Sequence, residues 1–231
     1  MAIRGKASRS PEIGGLAEVK AWGWTPEFLA HRINEFRDRT IAGLDERCFV
    51  EPDFYGQLLF ENSDNWKIIF DRPGNILGFW HNVPMTPIGH AMALKGNMCG
   101  ERIVREIVPR MKSGQWYDTY FFSLSICSSI RRSMIVIRFS ASIIQSLVDL
   151  AEKGVFVNNI TMCYASSYSQ LMNKFFLQFE YCGEHIVGGK MHRTHFPTFL
   201  KSRVMQISAG KNVKQLIQLY DESSPPVAST A

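Results

Sequence analysis

The stretch that decides the fold runs from Tyr117 to Tyr181: YDTYFFSLSICSSIRRSMIVIRFSASIIQSLVDLAEKGVFVNNITMCYASSYSQLMNKFFLQFEY. Its aromatic-rich opening, as far as Cys127, predicts a long strand. Ile143, Ile144, Leu147, Val148 and Ala151 recur at helical spacing, which predicts a helix over Ser140–Lys153 closed by Gly154. Val155–Ala165 reads as a returning strand, and Ser167 then caps a helix carrying Leu171, Phe175 and Phe179. The loop ahead of the Ser140 helix contains Arg131, Arg132 and Arg138, and no acid lies between Asp118 and Asp149. A helix start offers unpaired N–H groups and the positive end of the helix dipole, so this loop is suited to an anion. The plain alternative is a basic surface loop before a core helix.

Upstream, Thr25-Pro26-Glu27 starts a helix with a hydroxyl cap and Pro at the first position, and its apolar stripe (Phe28, Leu29, Ile33, Phe36) ends near Gly43. A shorter helix follows Glu51-Pro52. Trp66–Phe70 and Ile76–Pro84 are two strands joined by the turn cluster Asp71-Arg72-Pro73-Gly74-Asn75. Glu101–Val108 has helical spacing and is stopped by Pro109. Downstream, Tyr181–His195 reads as strands, and the tail after Asp221 lacks a core pattern. The fold class is therefore mixed α/β, with residues 1–24 as an N-terminal segment, 25–220 as one domain and 221–231 as a disordered tail.

Composition narrows the functional classes. With 231 residues, 45% of them hydrophobic and 20% charged, the chain has the balance of a globular protein. No apolar stretch reaches the ~18–20 uninterrupted residues of a membrane span, and MAIRGKASRS has no apolar core of a signal peptide. Five widely spaced cysteines without a C-x-x-C pair read as reduced thiols, which gives the expectation of a cytoplasmic protein. The net charge of +5 is uneven: residues 1–72 carry 10 Lys/Arg against 12 Asp/Glu, and residues 73–231 carry 16 against 9. That asymmetry favours an anionic partner. Cys182, His185, His192 and His195 fall within a short span, but i and i+3 residues of a strand face opposite ways, so no metal site is expected.

In the order of its elements, the 117–181 stretch resembles the cofactor half of the GNAT superfamily of N-acyltransferases. The hairpin WKIIFDRPGNILGFWHNVP is similar to that family's second and third strands. The resemblance covers roughly residues 25–195. It implies a central mixed, mostly antiparallel sheet flanked by helices, with the 155–165 strand beside 117–127 and the two splaying apart at one end. It further implies an acyl-CoA (acetyl-CoA or another) as substrate and an amine acceptor. The cofactor-binding residues implied are Ser125, Ile126, Cys127, Arg132, Arg138, Ser140 and Ala141.

The family's phosphate loop has the form R/Q-x-x-G-x-G/A. Aligned on a helix starting at Ser140, it places Phe139 at the central Gly and Val136 at the Arg. The family's general-acid Tyr falls on Phe176, and Tyr168 is the nearest hydroxyl. Asp118 and His81, on strands that border the acceptor cleft, are candidate bases. Phe139 and Phe176 motivate a second reading, a binding or regulatory protein of the same fold without catalysis. A nucleic-acid reading of the acid-free 185–220 stretch requires Phe196, Phe199 and Tyr220 to be presented for stacking.

Overall fold

A computed structural model of the chain describes residues 10–41, 45–164, 179–201 and 210–223. Seven strands form one sheet: β1 (Glu12–Gly14), β2 (Trp66–Phe70), β3 (Ile76–Pro84), β4 (Gln115–Ile126), β5 (Val155–Tyr164), β6 (Glu180–Glu184) and β7 (Lys190–His195), in the order β1-β2-β3-β4-β5-β7-β6. Only β4 and β5 run parallel, and every other neighbouring pair is antiparallel. The β2–β3 hairpin has the predicted limits. Its turn is closed by Asn75 N–H donating to the Arg72 carbonyl and by Asn75 Nδ2 donating to Asp71 Oδ1 at 2.7 Å.

Consecutive residues on the central strands face opposite layers, as the strand period requires. Ile68 and Phe79 join a core with Leu29, Ile33 and Phe36 of helix α2 (Pro26–Thr40) and with Tyr55 and Leu59 of helix α3 (Pro52–Glu61). Their neighbours Ile69 and Trp80 pack on the other face against Ile135 and Phe139 of the long helix α6 (Met134–Glu152). Further along α6, Leu147, Val148 and Ala151 meet Val155, Val157 and Ile160 of β5, Phe196 of α7 (Phe196–Leu200) and Leu216 of α8 (Gly210–Glu222). α6 is long and apolar enough to cross a membrane by length and composition, and its apolar stripe is spent on this sheet. Three shorter helices are also among the described residues: α1 (Leu16–Ala21), α4 (Pro87–Leu94) and α5 (Glu101–Arg105).

Local chemistry explains the helix starts. Thr25 Oγ1 accepts from Phe28 N–H at 3.2 Å, with Pro26 at the first helical position. α2 and α3 cross so closely that a Cβ on Gly56 would lie 2.2 Å from the Pro26 carbonyl oxygen, so only glycine fits there.

Four features differ from the sequence expectation. Residues 12–14 pair with β2 as the edge strand of the sheet. The helix after Gly100 ends at Arg105, because Ile107 leaves it to bridge Met85. α4 lies between the hairpin and α5, and its start, Thr86-Pro87, repeats the Thr25-Pro26 signature. Most consequentially, α6 begins at Met134, six residues before Ser140. Ile135 and Phe139 extend the same apolar stripe backward one and a half turns, and their burial outweighs the capping preference of Ser140. Ser140 Oγ instead donates to the Val136 carbonyl at 3.0 Å, the back-bonding that serine uses inside helices.

Phe139 is fully buried and Ile137 is 62% exposed on the opposite side of the same helix. Phe139→Ala is expected to cost roughly 3–5 kcal/mol in urea unfolding, and Ile137→Ala less than about 0.5 kcal/mol. Equal losses would contradict the packing of α6 on Trp80.

Candidate functional site

β4 loses one of its two neighbours halfway along. From Gln115↔Val155 to Phe121↔Met162 it pairs with β5, and beyond that point β5 continues against β7 as far as Tyr164↔Lys190. On its other side β4 stays paired with β3 to Gly78↔Ile126, but the register shifts: His81 faces Ser123 and Asn82 faces Phe121, so Phe122 is an extra residue. This bulge bends β4 at the place where β5 leaves it. Among the described residues, 122–126 therefore pair on one edge only, and a gap opens between β4 and β5.

The backbone facing that gap can be named. Cys127 N–H donates to the Leu77 carbonyl at 2.8 Å, so Cys127, Ser125 and Ser123 direct their backbone groups at β3. Alternation turns Leu124 and Ile126 toward the gap. The Ile126 carbonyl accepts from Arg131 Nε at 3.3 Å, which leaves the Leu124 N–H and carbonyl and the Ile126 N–H facing the opening.

The loop that follows is a series of tight turns ending at the start of α6. Ile130 N–H donates to Cys127 and Ser133 N–H to Ile130, while Ser133 Oγ donates to the same Ile130 carbonyl at 2.7 Å. Ser133 therefore precedes α6 without capping it, and the first-turn N–H groups receive no side chain. Arg131 and Arg132 sit exposed just ahead of this helix end. Ser129 Oγ donates to Cys127 Sγ at 3.3 Å, and the hydrogen bonds from Ser129 hold the Cys127 thiol pKa below its ordinary value.

No family model and no curated protein matches the chain. Solved structures do. The loading GNATL domain of CurA from Lyngbya majuscula superposes with a TM-score of 0.52 at 9% identity, over 82% of this chain and all of that one. The GphF GNAT-like decarboxylase, solved in complex with isobutyryl-CoA, gives 0.50 at 10% identity, over 80% of this chain and 98% of that one. The chain has the GNAT fold. A mixed sheet with one parallel pair that parts at one end is what the resemblance in sequence implied.

The implied site residues of this GNAT fold are only partly brought together. Ser125, Ile126 and Cys127 end β4 beside the gap, but Ser125 is buried with its Oγ 2.7 Å from Thr40 Oγ1, and the backbone of Ser125 and Cys127 is engaged by β3. Arg132 lies at the helix start. Arg138, Ser140 and Ala141 are exposed but lie more than one turn inside α6, away from its free N–H groups, because the helix begins at Met134. Phe139 is likewise a core residue of α6 and does not stand in the loop. Tyr168 and Phe176 lie outside the described residues.

The two candidate bases have different surroundings. His81 is fully buried, with Nδ1 3.1 Å from the Tyr55 hydroxyl, and burial, helped by the charge of Arg37, pushes its pKa down to about 3. It is neutral and closed to solvent. Asp118 accepts from Asn159 Nδ2 at 2.7 Å and from Asn158 Nδ2 at 3.2 Å, and lies 3.0 Å from His90 Nδ1. His90 Nε2 in turn sits 3.1 Å from Thr161 Oγ1. His90 was not found from the sequence, although the Thr86-Pro87 start of its helix was a usable signal.

The other sequence features serve the fold. Phe196, Phe199 and Tyr220 are buried, so none is presented for stacking on bases. His185 Nε2 lies 2.7 Å from the Met98 carbonyl, His195 Nδ1 lies 2.8 Å from Thr198 Oγ1, and among the described residues no three His, Cys, Asp or Glu gather as metal ligands.

Burial raises the Asp118 pKa, but the hydrogen bonds from His90 and Asn159 outweigh it, and the net shift is downward. A depressed folded-state pKa contributes stability that is present above the unfolded value, about 4, and is lost as pH falls through the folded value. The stability difference between the parent and Asp118→Asn, measured by urea unfolding, is therefore expected to shrink as pH drops from 6 toward 3. A difference independent of pH would remove the ionised Asp118 network.

Proposed function

We propose that this chain binds an acyl-CoA in the gap between β4 and β5 and transfers the acyl group to an amine. The observation that carries the reading is the parting of β4 and β5 after Phe121 and Met162, with the open N-terminus of α6 and Arg131 and Arg132 beside it. The CoA-bound GphF structure of the same fold supports a ligand of this class.

The residues divide the work as follows. The pyrophosphate is met by the first-turn N–H groups of α6 and by Arg131 and Arg132, which face no competing carboxylate in the loop. Starting the helix at Met134 re-registers R-x-x-G-x-G/A onto Arg131-Arg132-Ser133-Met134-Ile135-Val136, with Met134, 69% exposed, at the central Gly position. The pantetheine arm lies along the free edge of β4, and Leu124 N–H polarises the thioester carbonyl. The neutral amine attacks the carbonyl carbon, negative charge builds on the oxygen facing Leu124, and collapse expels the CoA thiolate. The ammonium proton is taken by the Asp118–His90 pair, the ionised carboxylate holding the imidazole in place.

Calorimetric titration with acetyl-CoA tests the reading. Arg131→Ala and Arg132→Ala are each expected to weaken binding roughly ten- to a hundredfold, the value of a charge-assisted phosphate bond. Arg138→Ala is expected to stay within about twofold, because its side chain leaves α6 beyond the first turn. Absence of heat at millimolar acetyl-CoA, or equal effects of all three substitutions, would overturn it.

A further inference from the structure

One buried cation has no counter-ion among the described residues. Arg37 is 3% exposed, and among the described residues its Nε and Nη1 have no hydrogen-bond partner, while Nη2 reaches only the Cys48 carbonyl at 3.4 Å. Its guanidinium lies 4.7 Å from the centroid of the Phe122 ring, the bulge residue of β4. The ionisable groups around it are Tyr55, Cys48 and Tyr120, and burial raises the pKa of each, so all three are neutral at pH 7. A guanidinium stays protonated in such surroundings. A buried charge with no counter-ion and a single long hydrogen bond is strongly unfavourable, so its retention asks for a purpose.

Two more donors lie on the same face of the sheet. His81 lies with its ring centroid 6.0 Å from that of Phe122. Its Nδ1 faces the Tyr55 hydroxyl, whose proton has no other acceptor among the described residues. Tyr55 therefore donates to Nδ1, and the neutral imidazole carries its own proton on Nε2, which is buried without a partner. Ser123 stands directly opposite His81 in the β3–β4 ladder and shares its face, and Ser123 Oγ is also buried and unpartnered. Beside the bulge the chain thus places a positive charge and two further side chains with protons to give, and among the described residues no carboxylate to receive them.

We propose that Arg37, His81 and Ser123 form a receptor for a carboxylate borne by a substrate. A planar carboxylate matches the guanidinium fork, supplies the missing charge, and has lone pairs left for His81 Nε2–H and the Ser123 hydroxyl. Ser123 belongs to the part of β4 that no longer pairs with β5, so the group held there is joined to whatever occupies the gap. That last step rests on the acyl-CoA reading, whereas the donor cluster does not.

The test begins without CoA. Thermal unfolding is followed in sodium acetate, in sodium chloride of equal ionic strength, and in acetamide. The parent is expected to gain several degrees, saturably, in acetate alone. Arg37→Met is expected to lose that gain and, with its unpaired charge removed, to melt at or above the parent temperature in chloride. Ser123→Ala, a small change that the fold tolerates, is expected to weaken acetate binding about tenfold and is decisive should Arg37→Met not fold. No acetate-specific gain in the parent, or a gain that persists in both variants, overturns the proposal.

Succinyl-CoA and acetyl-CoA then separate the sources. Tighter binding of succinyl-CoA by tenfold or more, lost in Arg37→Met, assigns the carboxylate to the acyl group. Equal binding of the two, with acetate still bound alongside, assigns it to the acceptor. Arg37-dependent acetate binding with no response to either CoA ester would keep the receptor and reject the acyl-CoA reading.

Discussion

One extra residue in β4 organises the molecule. Phe122 breaks the register between β3 and β4, and a bulge bends its strand and strengthens its twist. β4 therefore parts from β5 past Met162, while β5 stays paired with β7 on its other edge. The bend opens a gap along the edge of β4 that β5 no longer covers. On the α2 side it lays the Phe122 ring beneath Arg37 and beside His81 and Tyr55. The gap between β4 and β5 and the buried donor cluster are two consequences of the same local event.

The second constraint is where α6 begins. Ile135 and Phe139 dock against Ile69 and Trp80, and Trp80 Nε1 donates to Ser142 Oγ at 2.9 Å, which fixes the helix along the sheet. Because α6 is anchored this early, only the seven residues from Cys127 to Ser133 remain to connect it to β4. Such a short connection keeps the open helix end near the gap, and Arg131 ties it back to Ile126. A helix starting at Ser140 would have placed its N–H groups about 9 Å further along its axis.

Much of this fold is legible in the sequence where local chemistry and burial agree. The hairpin limits follow from Pro73-Gly74 between apolar runs, and α2 follows from Thr25-Pro26 with its stripe. The start of α6 departs from the sequence pattern because two signals conflict. Ser140 is a good capping residue, but Ile135 and Phe139 bury against strands that are distant in sequence, and tertiary packing outweighs a cap. The site was less legible for the same reason. Asp118 was visible as a strand carboxylate, but its partner His90 arrives from a helix separated from it by α5 and the start of β4. The bulge at Phe122 leaves no mark in the pattern, and with it the cluster of Arg37, His81 and Ser123 stayed out of sight. Arg37 reads as one more charge on an amphipathic helix until its burial is known.

The parting of β4 from β5 as the ligand slot is tested most directly by residue-resolved hydrogen exchange with and without saturating CoA. Leu124 N–H faces the gap, while Ser123 and Ser125 N–H already face β3. CoA is expected to slow exchange at Leu124 and at the first turn of α6 by tenfold or more, leaving Ser123 and Ser125 unchanged. Protection confined to other elements, such as α7 and α8, or no protection at Leu124 at all, would contradict it.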